Sequence, residues 1–491
     1  MTAYDDLMAF QRDTEALGQV AGRLEWDQEV MMPRGAAEQR AEEVGAIQSV
    51  LHARRVDPRI GDWLAAIDDS TLDAVGQANL RHIRRSYARQ TKIPADLAKR
   101  LAALASRAQG IWAEARQNED VAGFLPVLSE IVALKREEAA LLADGGDLYD
   151  ALLDDYEPDT SAKEIEAVFA ELRPRIVDLR AALLDKPSPA PLSGHFAESV
   201  QMQLTEEVAR SFGYDFARGR VDKSVHPFSM GSGDDCRITT RTDERDPLGS
   251  LYSTIHEVGH ACYEQNIAPE YRLTPLGCGV SMGVHESQSR IYENQLGRSE
   301  AFCSYLYGRM RTHFGDIGVE SERDFYAAVN RLAKGYIRTE ADEVQYNLHV
   351  MLRFDLERAL IAGDLTVNDL ELAWNERFAA DFGYAPDKPS NGMLQDVHWS
   401  VGLFGYFPTY SLGNLYAGCL HEALRADLPD LDDQLARGDL AQATGWLKEK
   451  VQRHGGLMRP REVITQACGK APEAEPLVRY LEAKFAALYG L

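Results

Sequence analysis

Several features that would direct the reading elsewhere are missing from this chain. No apolar run reaches the roughly 18 residues that a membrane-spanning helix needs. The opening residues, Met1-Thr-Ala-Tyr-Asp-Asp, carry no basic stretch and no long apolar core, which speaks against a secretory signal. The six cysteines (Cys236, Cys262, Cys278, Cys303, Cys419 and Cys468) are scattered and form no C-x-x-C pair. That usage predicts free thiols in a reducing compartment, with the cytoplasm as the default, and no disulfide framework. Positive charge is scarce as well. With 53 Lys and Arg against 77 Asp and Glu, the formal net charge is −24, so nucleic acid and anionic membranes are poor partners. No fixed repeat period appears, which excludes a solenoid.

What the chain does have is length and apolar content. Its 491 residues, 45% hydrophobic, can bury a sizeable core, either as two to four compact units or as one large helical domain. Residues 1 to about 185 read as almost continuous helix. Pro33-Arg-Gly35, Asp57-Pro58 and Ile93-Pro94 mark the breaks, and 98–116 and 127–142 are long amphipathic runs. The Pro-rich stretch Asp185 to Gly194 reads as a linker or a surface loop, dividing an N-terminal helical region, 1–185, from the remainder, 186–491. Between Val221 and Thr242 the pattern changes to alternation with β-branched residues around Gly231-Ser-Gly-Asp-Asp. Two short strands are expected there, next to the segment that carries the chemistry; such a strand can pair with an extended peptide.

That segment is Thr254-Ile255-His256-Glu257-Val258-Gly259-His260. Residues four apart share one helix face, so His256 and His260 can hold one metal ion, with Glu257 beside it to take a proton from a bound water. Asp246-Pro247 supplies an N-cap and a first-turn proline, and Asn266 is the expected stop. Leu248, Leu251, Ile255, Val258 and Cys262 form the apolar stripe between them. Gly259 weakens a helix by about 1 kcal/mol relative to Ala, which fits close approach of another backbone or of substrate.

A catalytic site of this kind needs a third protein ligand and one open position. A third histidine is ruled out, because Tyr263 and Asn266 stand where the longer motif requires Gly and His. The alternative is a Glu from the following helix, which Ser281 is placed to start. Glu286 and Glu293 are the candidates, and Glu286 is favoured. Seven of the 12 histidines fall between His226 and His398, which marks this half as the chemical one. Ile337-Arg-Thr-Glu-Ala-Asp342 is read in a helical run, where Arg338 and Asp342 at i,i+4 would pair with each other. Gly392-Met-Leu-Gln-Asp-Val-His-Trp399 suggests a loop lining a cleft, with Gln395, Asp396 and His398 in it. Tyr406 and Tyr410 follow on an expected turn, where a hydroxyl could donate to an oxyanion. His226-Pro-Phe and Asp235-Cys-Arg-Ile-Thr239 flank the glycine turn. A cleft that reads a peptide C-terminus needs a cation, and Arg237 and Arg338 are the candidates.

Together these motifs resemble the M32 metallocarboxypeptidases, the family of thermostable Taq carboxypeptidase. The resemblance rests on H-P-F at 226–228, D-x-R-x-T at 235–239, H-E-x-x-H at 256–260, H-E-S-Q at 285–288, I-R-x-x-A-D at 337–342 and G-x-x-Q-D-x-H-W at 392–399. All six stand in the family's order, so nearly the whole chain is covered. The resemblance implies a mainly α fold with a deep groove, and a small β-sheet beside the HExxH helix. It implies a homodimer that removes single residues from peptide C-termini with broad specificity, using Zn2+ or Co2+. By it Glu286 becomes the third ligand beside His256 and His260, Glu257 the general base, and Arg338 a groove residue. Tyr410, Tyr406 or His398 would stabilise the oxyanion, and His226, Arg237, Gln395 and Asp396 would contact substrate. An oligopeptidase or dipeptidyl carboxypeptidase on a similar cleft is the nearest alternative, and a non-catalytic peptide-binding protein a more distant one.

Overall fold

The computed structural model describes residues 2–491, a chain of helices interrupted by one small sheet. The breaks fall where the prolines predict them. Thr2 and Asp5 form a reciprocal capping box at the start of the Ala3–Val30 helix. Asp57 caps the Pro58–Ala66 helix, and Pro94 immediately precedes the Ala95–Asn118 helix. Proline suits a helix start because the first-turn N–H groups have no intrahelical partner. Among the described residues, no helix is long and apolar enough to cross a membrane.

Apolar side chains collect in one large cluster that runs from Leu104 to Phe485. A small separate cluster, Leu7, Ile60, Leu80 and Ile83, holds the first helices together. The Ala3–Val30 helix also reaches the sheet: Gln19 donates to Ser232 Oγ at 2.9 Å and Arg23 to Asp235 at 2.9 Å. The stretch Asp185 to Gly194 has no regular structure, and Ser193 N–H donates to Ile317 O.

The sheet has three strands where alternation predicts two: β1 (Val221–Lys223), β2 (Ser229–Ser232) and β3 (Asp235–Thr240), in the order β1-β3-β2. β3 pairs parallel with β1 and antiparallel with β2. The first expected strand is split by the His226-Pro227 turn, because proline cannot donate to a ladder and its φ is fixed. The segment around Arg338 also departs from expectation. It is extended, with a single 3-10 turn over Arg338–Glu340, and not a helical run. Asp342 accepts from the backbone N–H groups of Val344 and Gln345, so the i,i+4 pair with Arg338 does not form. The turn expected at Tyr406–Tyr410 tightens directly into the Pro408–Asp427 helix, with Tyr410 in its first turn.

Three helices enclose the site. The Pro247–Asn266 helix starts as expected, with the Asp246 carboxylate accepting from Leu248 and Gly249 N–H. Leu251, Ile255, Val258 and Cys262 are all buried. Thr254 Oγ1 donates to Thr240 Oγ1 at 2.9 Å, which ties this helix to the end of β3. The Met282–Arg290 helix is capped by Ser281 and passes directly into a π-helical turn, Ile291–Leu296. Such turns are often found at functional sites. The Pro408–Asp427 helix completes the enclosure.

Two glycines set the spacing of these helices. A Cβ on Gly259 would lie 2.5 Å from Gln288 O and 2.6 Å from Ser289 Cα. A Cβ on Gly413 would lie 2.5 Å from Glu286 Cγ. The Met282–Arg290 helix is therefore gripped from both sides at the turn that bears Glu286. Of the two readings for Gly259, close approach of another backbone is the one the structure bears out. At an unconstrained mid-helix position Gly→Ala would add about 1 kcal/mol of stability. Here the opposed atoms are backbone and cannot swing away, so Gly259→Ala is expected to destabilise by about 1–3 kcal/mol through overpacking. Thermal unfolding of the metal-free proteins measures this; a variant at least as stable as wild type would refute the close-contact argument.

Candidate metal centre

His256, His260 and Glu286 come together, with one ligand atom from each lying within 4.8 Å of the others. Their orientation is more telling than their proximity. His256 Nε2 is 3.8 Å and His260 Nε2 3.3 Å from Glu286 Oε2. The three remaining polar atoms face away and are each taken. His256 Nδ1 is 2.9 Å from Glu293 Oε2. His260 Nδ1 is 2.5 Å from His285 Nδ1, and His285 Nε2 is 3.0 Å from Glu264 Oε1. Arg290 Nε donates to Glu286 Oε1 at 2.6 Å.

These contacts determine the tautomers. A carboxylate only accepts, so His256 Nδ1 and His285 Nε2 carry protons. His285 Nδ1 is then an acceptor, and His260 must donate to it from Nδ1. In their neutral forms both histidines then keep the Nε2 lone pair on the side of Glu286 Oε2. Two imidazoles and a carboxylate, each oriented by an outer partner, form a donor set that suits a divalent ion with an open position.

Electrostatics separates the two histidines: burial works against a charged His256, yet Glu286 and Glu293 raise its pKa. Burial works against an ionised Glu286, but Arg290 first and then His256 outweigh it and hold its pKa well below the usual carboxylate value. Burial pushes His260 down to about 3, so it is neutral. Glu293 is held down to about 2 against its own burial, by His256, Arg290 and Arg298. Glu257 behaves differently: it is 7% exposed, and burial raises its pKa to about 7.

A second cluster adjoins the first. Arg290 stacks over the Tyr346 ring at 4.2 Å, and Arg338 Nη1 donates to the Tyr346 hydroxyl at 3.0 Å. Arg338 also donates to Asp396 Oδ1 at 2.8 Å, while Arg353 Nε donates to Asp396 Oδ2 at 2.7 Å. One largely buried carboxylate thus serves two buried guanidiniums, and one positive charge is left over. Burial disfavours the ionised Asp396, yet the two arginines hold its pKa far below normal. Gln395 braces the loop, accepting from Arg338 N–H and donating to the carbonyls of Tyr336, Asn391 and Gly392. His398 Nε2 is 3.2 Å from the Tyr410 hydroxyl, and burial lowers its pKa to about 4. Tyr406 packs edge-on against Tyr410 at 5.2 Å. The negative charge of Glu286 acts on both phenols. Tyr410 and Gly413 are i,i+3 on one helix, so Tyr410 lies a turn from the Gly413–Glu286 contact.

Arg237 lies apart from these groups. Arg237 makes a bidentate pair with Asp235, at 2.7 and 2.9 Å, and stacks over Trp26 of the first helix at 4.6 Å. It lines a cavity of about 270 Å³ with Trp26, Met230, Glu264 and Cys278. Glu264 is also the end of the His260–His285 chain, so this cavity abuts the outer partners of the metal ligands. His226 is exposed, on the turn after β1.

Arg290, Glu264, Tyr346 and Arg353 were not singled out from sequence. Arg290 stands four residues after Glu286, and that spacing alone could have identified it. Glu293 appears not beside the Nε2 atoms but behind His256. Arg353 and Tyr346 carry no local signal, because only the fold brings the Tyr346–Ala362 helix to Asp396.

Comparison with known proteins agrees. The model of the carboxypeptidase Taq (M32) metallopeptidase family matches residues 6–485. Thermostable carboxypeptidase 1 of Thermus thermophilus is 42% identical over 99% of both chains, and carboxypeptidase 1 of Bacillus subtilis is 35% identical over 95% of both. The crystal structure of an M32 carboxypeptidase from Deinococcus radiodurans superposes with a TM-score of 0.96, at 38% identity over the whole of both chains. Metallocarboxypeptidase 1 of Trypanosoma cruzi gives 0.95 at 34% identity, covering 98% of this chain and 99% of that one. The chain belongs to the M32 family and is a metallocarboxypeptidase, a peptide hydrolase that depends on a divalent metal.

Proposed function

We propose that the metal is zinc, with cobalt as a working substitute, and that His256, His260 and Glu286 hold it. The observation that carries this reading is the convergence of two Nε2 atoms and Oε2, with every opposite atom already engaged. When bound, such an ion lowers the pKa of a coordinated water and polarises a carbonyl.

The protein's own groups do the rest. Glu257 accepts the proton of the attacking water and passes it to the leaving amine. Burial of its carboxyl favours the protonated form, which helps it take up and return that proton. The Tyr410 hydroxyl donates to the developing oxyanion, with His398 and Tyr406 orienting it. Arg338 receives the free C-terminal carboxylate, which would balance the positive charge that Asp396 leaves uncompensated. Arg237, paired on its other face with Asp235, and His226 line the farther part of the groove, while Gln395 and Asp396 hold Arg338 in place. The product is a single C-terminal residue, taken with broad specificity.

We further propose a cytoplasmic homodimer. All six cysteines are free, as a reducing compartment allows. Residues 1–185 and 186–491 act as one fold, a reading supported by the core cluster that spans Leu104 to Phe485.

Glu257→Gln removes the proton acceptor but touches no ligand. It should retain the metal at wild-type stoichiometry while kcat falls by about 10²–10⁴-fold. Metal analysis paired with a peptide-release assay tests this, and near-normal turnover in the loaded variant would sink the assignment. Amidating the C-terminus of a peptide removes the charge that Arg338 receives. Losing one partner of a buried charge pair costs about 2–5 kcal/mol, so kcat/KM should drop by at least about 30-fold. Equal rates on amide and free acid would point to an endopeptidase.

A further inference from the structure

One buried carboxyl takes no part in the chemistry so far. Glu157 is 0% exposed and lies in the N-terminal region, just after the Leu148–Leu153 helix. Its Oε2 accepts from the N–H of Gly283 at 2.9 Å, and its Oε1 from the Tyr416 hydroxyl at 3.1 Å. The Ser281 hydroxyl also stabilises its ionised form. The preceding carbonyl, Tyr156 O, accepts from Met282 N–H at 2.9 Å. No cation compensates it, and burial lifts its pKa to about 7.

The groups that Glu157 and Tyr156 engage are the first donors of the Met282–Arg290 helix. An α-helix leaves its first four N–H groups without intrahelical partners. Here Met282 and Gly283 are satisfied by Tyr156 and Glu157 and Val284 by the Ser281 hydroxyl, while His285 makes the first i→i−4 bond, to Ser281 O. Half of the end is therefore closed by a segment more than a hundred residues away in sequence. Gly283 is shaped for that contact: a Cβ there would stand 2.6 Å from Glu157 Oε2.

We propose that Glu157 is a positioning residue for the third metal ligand. The two close glycine contacts, Gly259 and Gly413, hold the Met282–Arg290 helix sideways. Both fall at Glu286 or beyond it, and neither reaches the first turn, 282–285. Glu286 is the first residue after that turn. Glu157 pins the turn by hydrogen bonds along the axis, and so sets the height of Glu286 Oε2 against the two Nε2 atoms. Tyr156 also packs edge-on against Tyr406 at 5.0 Å, so the same short segment holds one of the phenols beside the site. This inference rests on the reading of His256, His260 and Glu286 as the metal site.

The test compares wild type with Glu157→Ala, Glu157→Gln and Tyr416→Phe. Affinity for Zn2+ and for Co2+ is measured by competition with a chelator. Backbone amide exchange at 283–286 is followed in the metal-free proteins. Loss of an outer partner typically weakens metal binding 10–100-fold, and Glu157→Ala should fall in that range. Glu157→Gln, which keeps one acceptor oxygen, should lie between it and wild type. Tyr416→Phe leaves the Gly283 bond and should show the smallest loss. Exchange at 283–286 should accelerate in the same order, and kcat at saturating metal should fall while KM for the peptide holds. Leu7→Ala, in the separate small cluster, should lower the melting temperature without moving metal affinity. If Glu157→Ala does not fold, the isosteric Glu157→Gln decides. Glu157 variants that lose stability yet bind metal as wild type does, with protected amides at 283–286, would overturn the proposal. Release of C-terminal residues by wild type is scored separately and bears only on the reading of the site.

Discussion

The Glu286 carboxylate is the group around which this protein is organised. It is buried, it must stay ionised, and it must present one chosen oxygen to two imidazoles. Taking a carboxylate out of water is strongly unfavourable unless it is paired and hydrogen-bonded. Arg290 supplies the charge, and the Ser289 hydroxyl, donating to Glu286 O at 2.7 Å, also lies 3.1 Å from Oε2. Space is the other requirement. Three helices can meet at this carboxylate only because Gly259 and Gly413 have no Cβ to keep them apart.

Buried charge then propagates outward in ordered steps. Arg290 needs Tyr346, Tyr346 meets Arg338, and Arg338 shares Asp396 with Arg353. On the opposite side His256 leans on Glu293, which Arg298 steadies, and His260 leans on His285 and Glu264. Each step fixes a rotamer through an outer partner, the arrangement by which surrounding groups orient histidines and carboxylates at a metal site. The Arg338 guanidinium that shares Asp396 lies over the Tyr410 ring at 4.9 Å, which brings it to the phenols.

The sequence was legible where function depends on spacing along one helix. The HExxH pair, its Asp246-Pro247 start and the Ser281 cap all reappear, because helix geometry alone places residues four apart on one face and leaves end groups to be capped. It was less legible where a segment takes its conformation from distant partners. The alternation over 221–242 hid a third strand behind Pro227. The run around Arg338 looked helical but is held extended by the loop at Gln395 and Asp396. Glu293 sat among the ligand candidates, yet it faces the rear of His256.

By itself, the sequence determined that His256, Glu257 and His260 share one helix, a mainly helical fold and the family, since all of these are written in local spacing and in motif order. Only the tertiary structure decided which oxygen of Glu286 faces the histidines, which arginines share Asp396, and what closes the start of the Met282–Arg290 helix. Those outcomes depend on contacts between residues tens to hundreds of positions apart. Such contacts are set by how closely backbones can approach and by the need to compensate every buried charge, and neither is encoded in the spacing of any one segment.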